Sequence, residues 1–141
     1  MQLPITRIDK TLPLPKYETP GSVAFDLYAR ETTTVQPNAL ALIPANLIVQ
    51  IPPGFTLLLA ARSSTPKKGL SVPHGIGIID QDFCGPNDEL SVQVMNWTNQ
   101  QVTVERGERI AQALIVPIAQ VELVERETVT STNRNGFGST G

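Results

Sequence analysis

The sequence predicts an all-β fold, a jelly-roll-like distorted barrel of many short strands with at most one short helix. Three observations indicate this fold. The 12 prolines and 10 glycines divide the 141-residue chain into short pieces. These pieces are rich in Ile, Val, Leu and Thr, the residues that favour strands. Only one stretch carries helical signals, which favours a sandwich or jelly roll over a mixed fold.

Taken in order along the chain, the predicted strands lie between turns rich in Gly and Pro. The alternation in "QVTVE" predicts a strand with one solvent-facing side. In "SSTPKKGL", Ser64 or Thr65 can cap a helical turn that begins at Pro66 and ends at Gly69. The predicted strands cover residues 3–8, 23–29, 39–43, 46–51, 55–61, 76–80, 90–96, 101–105, 109–116 and 120–125.

The composition predicts a single globular domain in a reducing, cytoplasmic compartment. Hydrophobic residues make up 40% of the chain and charged residues 17%, which are values typical of a globular protein. The net charge of -2 argues against general binding to nucleic acid but leaves a small anionic ligand open. Cys84 has no partner for an internal disulfide, and His74 is the only histidine. No apolar run is long enough to span a membrane, so we expect neither a nucleic-acid nor a membrane partner.

The stretch "ARSSTPKKG" places an arginine and two hydroxyl groups directly after the apolar run "FTLLLAA". The guanidinium of Arg62 matches the geometry of phosphate oxygens, and Ser63 and Ser64 add neutral donors. A helical turn that starts at Ser64 would add backbone N–H groups facing the same anion. The alternative is a helix cap beside a surface arginine, and this stretch by itself leaves both open.

Asp80 follows the apolar pair Ile78-Ile79 within "GIGIIDQDFCG". An aspartate at the end of an apolar strand can hold and deprotonate a water molecule. It can equally bond to the backbone of its own turn. Asp82 shares a face with Asp80 only if the strand alternation persists, and it lies nearer the turn.

Asp26 and Arg109 are charged residues inside apolar strand segments. Aspartate is disfavoured in strands, so Asp26 needs a partner, which is either an arginine or a hydrated divalent ion. An unpaired buried Arg109 would be costly. It therefore pairs with Asp26 or Glu108, or it points at a ligand. Gln112 interrupts the same apolar strand.

Taken together, five polar stretches resemble the motifs of the trimeric dUTPase family. The resemblance spans residues 21–141. One such motif would be a weak signal, but all five occur in the family's order. In this chain they are "VAFDLYA", "RSS", "GIIDQDFCG", "GERIAQ" and "NGFGSTG".

The resemblance implies a homotrimer with active sites at subunit interfaces. There dUTP and water become dUMP and pyrophosphate, with Mg²⁺ on the triphosphate. This reaction keeps uracil out of DNA and supplies dUMP for thymidylate synthesis. The implied organisation is a β domain over residues 1–130 and a flexible C-terminal arm over residues 131–141. The glycines of the arm let its backbone lie close over a bound nucleotide and exclude water.

The resemblance also assigns roles to individual residues. Asp80 falls on the aspartate that activates the attacking water, and Asp26 on an aspartate linked to the metal through water. Phe83 falls on the ring that packs against deoxyribose, and Phe137 on the aromatic that caps uracil. The implied phosphate contacts are Arg62, Ser63, Ser64, Gln112, Arg134, Ser139 and Thr140. The implied base and sugar contacts are His74, Ile78, Ile79, Phe83, Ser91 and Phe137.

The chain departs from the family pattern at three places. Phe83 replaces the usual tyrosine, which keeps the stacking surface and removes the hydroxyl. Arg134 stands closer to Phe137 than the family's arginine does. The turn over residues 85–90 is longer than usual, so Asp88 and Glu89 either alter base selectivity or belong to a longer surface loop.

Two other functions fit the same fold. A dCTP deaminase, or a bifunctional enzyme, needs a proton-shuttling glutamate where this chain has Gln93. A non-catalytic nucleotide-binding regulator would keep the pocket without turnover. Converting Asp80 to Asn separates a hydrolase from such a binder.

Overall fold

A computed structural model describes residues 1–133 of the chain. These residues form eleven strands and one short 3-10 helix, Pro66–Lys68. None of them belongs to a helix long and apolar enough to cross a membrane. The strands are β1 (Ile5–Arg7), β2 (Phe25–Tyr28), β3 (Thr33–Val35), β4 (Leu40–Pro44), β5 (Leu47–Val49), β6 (Phe55–Ala60), β7 (Leu70–Ser71), β8 (Ile76–Ile79), β9 (Ser91–Asn96), β10 (Val102–Val104) and β11 (Arg109–Pro117).

The all-β prediction is confirmed, and three predicted details of the strands are wrong. The short strands β3 and β7 were not predicted, because each has too few residues for a visible alternation. The strand predicted over residues 120–125 is absent, and Val121, Leu123 and Val124 are exposed. No strand within residues 1–133 pairs with this segment, so its apolar composition is not enough to make it a strand.

The strands form antiparallel sheets that share one apolar core. The four-stranded sheet has the order β2-β11-β6-β8, and the three-stranded sheet has the order β4-β9-β7. Two further pairs, β1-β5 and β3-β10, complete the described fold. Inward-facing residues of both larger sheets join one buried cluster, which holds the fold together by burial of apolar surface. The cluster includes Leu27, Ile43, Leu57, Leu59, Leu90, Val92, Val94 and Ala113.

The predicted helical turn forms, but its cap differs from the expectation. Thr65 occupies the cap position without a side-chain capping bond, and its Oγ1 accepts a hydrogen bond from the Arg62 backbone N–H at 3.0 Å. Gly69 ends the turn at φ 82°, in the left-handed region that glycine tolerates best. A Cβ at Gly69 would also collide with Thr98. The turn is therefore tightly placed, and it fixes the direction in which the chain leaves Arg62.

Candidate active site

The register of three strands brings the first group of predicted site residues together. Asp26 on β2 is opposite Gln112 on β11, and Gln112 is in turn opposite Ala60 on β6. Arg62 lies two residues beyond Ala60, just after β6 ends. We call Asp26, Arg62, Ser64, Arg109 and Gln112 the arginine cluster.

One buried carboxylate joins two arginines at the centre of the arginine cluster. Oδ1 of Asp26 lies 2.7 Å from Nε of Arg62, and Oδ2 lies 3.1 Å from Nη1 of Arg109. The Asp26 side chain is 11% exposed, whereas those of Arg62 and Arg109 are 24% and 44% exposed. The partner required for Asp26 is therefore arginine, and Arg109 takes Asp26 rather than Glu108.

Two polar side chains, those of Ser64 and Gln112, hold Arg62 and the end of β6 in place. Nη1 of Arg62 donates to Oγ of Ser64 at 3.2 Å and to the backbone carbonyl of Arg109 at 3.4 Å. Nε2 of Gln112 donates to the carbonyl of Ala61 at 2.9 Å, which holds the end of β6 against β11. Of the carboxylates in residues 1–133 that contact these two guanidinium groups, Asp26 is buried, whereas Glu18, 3.6 Å from Nη1 of Arg109, is partly exposed. Two adjacent guanidinium groups suit an anion with several oxygen acceptors.

Asp80 lies at the end of β8, an edge strand that pairs with β6. Oγ1 of the buried Thr56 donates to the carbonyl of Ile79 at 2.7 Å and fixes the strand immediately before Asp80. Asp80 is exposed, and within residues 1–133 its carboxylate makes no hydrogen bond or ion pair. The following turn is closed instead by its backbone carbonyl, which accepts from Phe83 N at 3.3 Å.

Asp80 lines an open cleft of about 490 Å³, which we call the Asp80 cleft. Ile78 and Ile79, two of the residues predicted to contact base and sugar, line the same cleft. Thr56 and Gln120 add polar groups to it, and neither was predicted from the sequence. Thr56 looks like an ordinary strand threonine in the sequence, so no local signal indicated that it lines this cleft.

The arginine cluster and the Asp80 cleft lie at opposite ends of β6 within one chain. Ile79 pairs with Leu57, so Asp80 continues level with Thr56, whereas Asp26 is level with Ala60. Thr56 and Ala60 are separated by about 13 Å of extended strand, and Arg62 lies further on. A single copy of the described chain therefore keeps the candidate water-activating residue apart from the candidate phosphate-binding residues.

The remaining predicted site residues are dispersed. His74 lies in the exposed turn before β8, and Phe83 is 40% exposed in the turn after it. Ser63 is exposed beside Arg62. Ser91 is exposed at the start of β9, in the three-stranded sheet and opposite Pro44, so the described chain does not place it on the strand of Ile78. Four predicted residues lie outside the described part of the chain: Arg134, Phe137, Ser139 and Thr140.

The lengthened turn over residues 85–90 is fixed by its own charged side chains. Asp88 accepts from the Gly85 N–H at 2.6 Å, and Glu89 binds Arg30 through two hydrogen bonds of 2.8 and 2.9 Å. Glu89 also accepts from the Asn46 N–H at 2.8 Å. The hydrogen bonds to Glu89 raise the pKa of Arg30. Both carboxylates thus form hydrogen bonds that fix the loop and attach it to the rest of the fold. This favours the interpretation of residues 85–90 as a longer surface loop.

Residues 1–133 contain no group of three or more His, Cys, Asp or Glu side chains that could hold a metal ion. Both oxygens of Asp26 already contact guanidinium groups. The donors within residues 1–133 therefore do not fit a metal ion bound directly by protein. They remain compatible with Mg²⁺ that arrives on phosphate oxygens and keeps several of its waters. The fold and the two sites thus define an all-β protein with a cluster of paired arginines and a separate cleft lined by Asp80.

The dUTPase family model matches residues 10–141 of this chain. The deoxyuridine 5'-triphosphate nucleotidohydrolase of Anaeromyxobacter sp. (strain Fw109-5) is 40% identical over 138 residues, covering 92% of this chain and 88% of that protein. The enzyme of the same name from Fusobacterium nucleatum is 41% identical over 138 residues, covering 91% and 89%. The chain therefore belongs to the dUTPase family.

Solved structures support the same assignment. The dUTPase from Streptococcus mutans superposes with a TM-score of 0.77 at 32% identity, covering 84% of this chain and 98% of that chain. The Staphylococcus bacteriophage 80alpha dUTPase, solved with dUPNHPP, gives a TM-score of 0.86 at 26% identity, covering 99% and 98%. The jelly-roll-like fold is thus shared over almost the whole chain.

Proposed function

We propose that this chain hydrolyses dUTP to dUMP and pyrophosphate, with Asp80 as the general base. The observation that carries the proposal is the exposed Asp80 carboxylate, which has no partner among residues 1–133 and lines a cleft of about 490 Å³. The names of the bacterial relatives support dUTP as the substrate. They favour hydrolysis over deamination, in agreement with Gln93 at the position where a deaminase needs a glutamate.

We further propose that the working form is a homotrimer with shared active sites. Asp80 is level with Thr56 and Arg62 lies beyond Ala60, so more than about 13 Å of extended strand separates the two residues within a single chain. A second copy that places its arginine cluster against the Asp80 cleft would complete the site. A closed cyclic arrangement then creates one equivalent site per interface.

In the proposed reaction, Asp80 holds a water and removes its proton as the oxygen attacks the α-phosphorus. A bond forms between the water oxygen and the α-phosphorus. The bond from the α-phosphorus to the bridging oxygen breaks, and pyrophosphate leaves with the electron pair. Thr56 supports this step by fixing the carbonyl of Ile79, and thus the backbone from which Asp80 projects.

The arginine cluster would carry the electrostatic part of the reaction. Arg62 and Arg109 are held by Asp26 before any ligand arrives, so their charges need little reorganisation when the phosphates bind. Ser63 and Ser64 add hydroxyl donors beside Arg62. Gln112 lies opposite Asp26 on the neighbouring strand. Mg²⁺ bound to the triphosphate would supply further charge neutralisation, and Asp26 is the carboxylate of the cluster that would hold it through water.

The nucleoside would lie in the Asp80 cleft. We assign the backbone around Ile78 and Ile79 to reading the base and sugar. The family resemblance adds His74 and Ser91 to this group, and neither lines the cleft within one chain. Phe83 would pack against deoxyribose, where a 2′-hydroxyl would clash. The C-terminal arm over residues 131–141 would close the site, with Phe137 over uracil and with Arg134, Ser139 and Thr140 on the phosphates.

The test measures pyrophosphate release from dUTP, dCTP, dTTP and UTP with Mg²⁺, with ammonia measured in parallel. We expect dUTP to be the preferred substrate. Asp80→Asn should lower kcat by about 10²- to 10⁴-fold while binding of the analogue dUpNHpp is retained. Glu122→Gln, which removes an exposed carboxylate that does not line the Asp80 cleft, is the matched control. Ammonia from dCTP, or full activity of Asp80→Asn, would contradict the proposal.

A further inference from the structure

Glu18 contacts the arginine cluster, and neither the sequence motifs nor the proposed reaction gives it a role. Its Oε1 lies 3.6 Å from Nη1 of Arg109, the same nitrogen that lies 3.1 Å from Asp26. Glu18 belongs to the irregular segment between β1 and β2, which has no regular secondary structure. Its side chain is 42% exposed.

The contact changes the charge that an incoming phosphate meets. Asp26 alone leaves two guanidinium groups with one carboxylate, whereas Glu18 supplies the second negative charge. The two positive charges of Arg62 and Arg109 are then matched by the two negative charges of Asp26 and Glu18. A triphosphate that approaches Arg109 must compete with this carboxylate for the same donor.

Of the two carboxylates, Glu18 is the one that can leave. Asp26 is 11% exposed, lies within β2 and is bound through both oxygens. Glu18 contacts Arg109 at a longer distance from an irregular segment, and its other oxygen lies 3.7 Å from Nζ of Lys16. Lys16 therefore offers Glu18 an alternative partner when Arg109 is taken by a ligand.

We infer that Glu18 is an affinity-determining residue, a carboxylate that occupies Arg109 in the free protein and is displaced by the substrate's phosphates. The inference rests on the proposed function, since it assumes that phosphates bind at the arginine cluster. Displacement costs part of the binding free energy, so Glu18 weakens the binding of polyphosphate nucleotides. Its effect depends on exposed charges and is therefore reduced by salt.

The test measures the Kd of dUpNHpp for wild type and Glu18→Gln by calorimetry at low and high salt. We expect Glu18→Gln to bind about two- to fivefold more tightly at low salt, with a smaller gain at high salt. Glu31→Gln is the matched control, because it removes the same charge from a carboxylate 2.6 Å from Nη1 of another arginine, Arg30. This control should leave the Kd unchanged.

Measuring the same substitution in the Arg109→Gln variant shows whether Glu18 acts by competing for Arg109 or through the structure around it. In Arg109→Gln the competition no longer exists, so adding Glu18→Gln should leave the Kd unchanged. If wild type binds dUpNHpp and Glu18→Gln binds no more tightly, the inference on Glu18 is wrong while the proposed function stands. If wild type neither binds dUpNHpp nor hydrolyses dUTP, the proposed function fails and the inference fails with it.

Discussion

Nε of Arg62 lies 2.7 Å from Oδ1 of Asp26. This ion pair links the segment that follows β6 to strand β2. The two strands are not neighbours, because β11 lies between them in the sheet. The ion pair therefore spans β11, and Arg109 of that strand binds the other oxygen of Asp26. This single carboxylate sets the position of both cationic side chains of the arginine cluster.

Asp26→Asn should lower the free energy of unfolding by about 1–3 kcal/mol. The amide keeps the shape of the side chain but no longer balances the two partly buried guanidinium groups. Urea denaturation of the variant and of wild type measures the difference. Asp82→Asn, an exposed site, should change stability by less than about 0.5 kcal/mol. Equal stability of Asp26→Asn and wild type would show that the pair contributes nothing.

Mixing two inactive variants should restore activity if the active site is shared. Asp80→Asn lacks the proposed base, and Arg62→Gln lacks a phosphate contact, but a mixed interface can combine one intact residue from each copy. With random assembly of equal amounts, roughly a quarter of the interfaces pair the two intact residues. The measurement is dUTP hydrolysis after the variants are unfolded and refolded together.

The control for this mixing experiment is each variant refolded alone, which should stay inactive. Recovery should also require joint refolding if the assembled copies exchange slowly. No recovery in a sample that contains mixed assemblies would mean that Asp80 and Arg62 act within one chain. That result would contradict the shared-site proposal and the distance inferred along β6.

Thr56→Val should reduce kcat more than it changes KM. The substitution removes the hydrogen bond to the Ile79 carbonyl, which is 2.7 Å long in the structure, and leaves that acceptor without its buried donor. We expect a loss of about 1–2 kcal/mol in unfolding free energy and a less well-placed Asp80. Thr56→Ser keeps the hydroxyl and should restore kcat. Thr34→Val, which removes an exposed cross-strand hydroxyl contact, is the control for stability.

Acid should remove the contribution of Asp9 to stability. Hydrogen bonds from Thr11, and then from Arg106, hold the pKa of the Asp9 carboxyl well below its ordinary value of 3.8. Because the folded-state pKa is lowered, this contribution is fully present above pH 3.8 and is lost as the pH falls below it. Urea midpoints of wild type and Arg106→Gln should therefore differ at neutral pH and converge as the pH falls. Arg126→Gln, an exposed arginine, controls for net charge, and a difference that persists in acid would contradict this assignment.

Local patterns in the sequence were sufficient for most of the fold. The Gly and Pro turns with apolar segments between them predicted the strands that became β6, β9 and β11, and the alternation in "QVTVE" predicted β10. Pro66 with Gly69 predicted the helical turn found in residues 1–133. These features depend on backbone preferences and on the side-chain period, which neighbouring residues determine. The segment over residues 120–125 has a strand-like composition, but without a pairing strand in residues 1–133 it stays irregular.

The sequence by itself determined which residue types are available for chemistry: the carboxylate that ends β8, the Arg-Ser-Ser stretch and the charged residues inside β2 and β11. Only the tertiary structure decided their partners. It assigned Asp26 to two arginines, added Glu18 to Arg109 and placed Asp80 at the far end of β6 from Arg62. The physical reason is that ion pairs and shared sites depend on strand order and register, which join residues distant in the chain and leave no local pattern to detect.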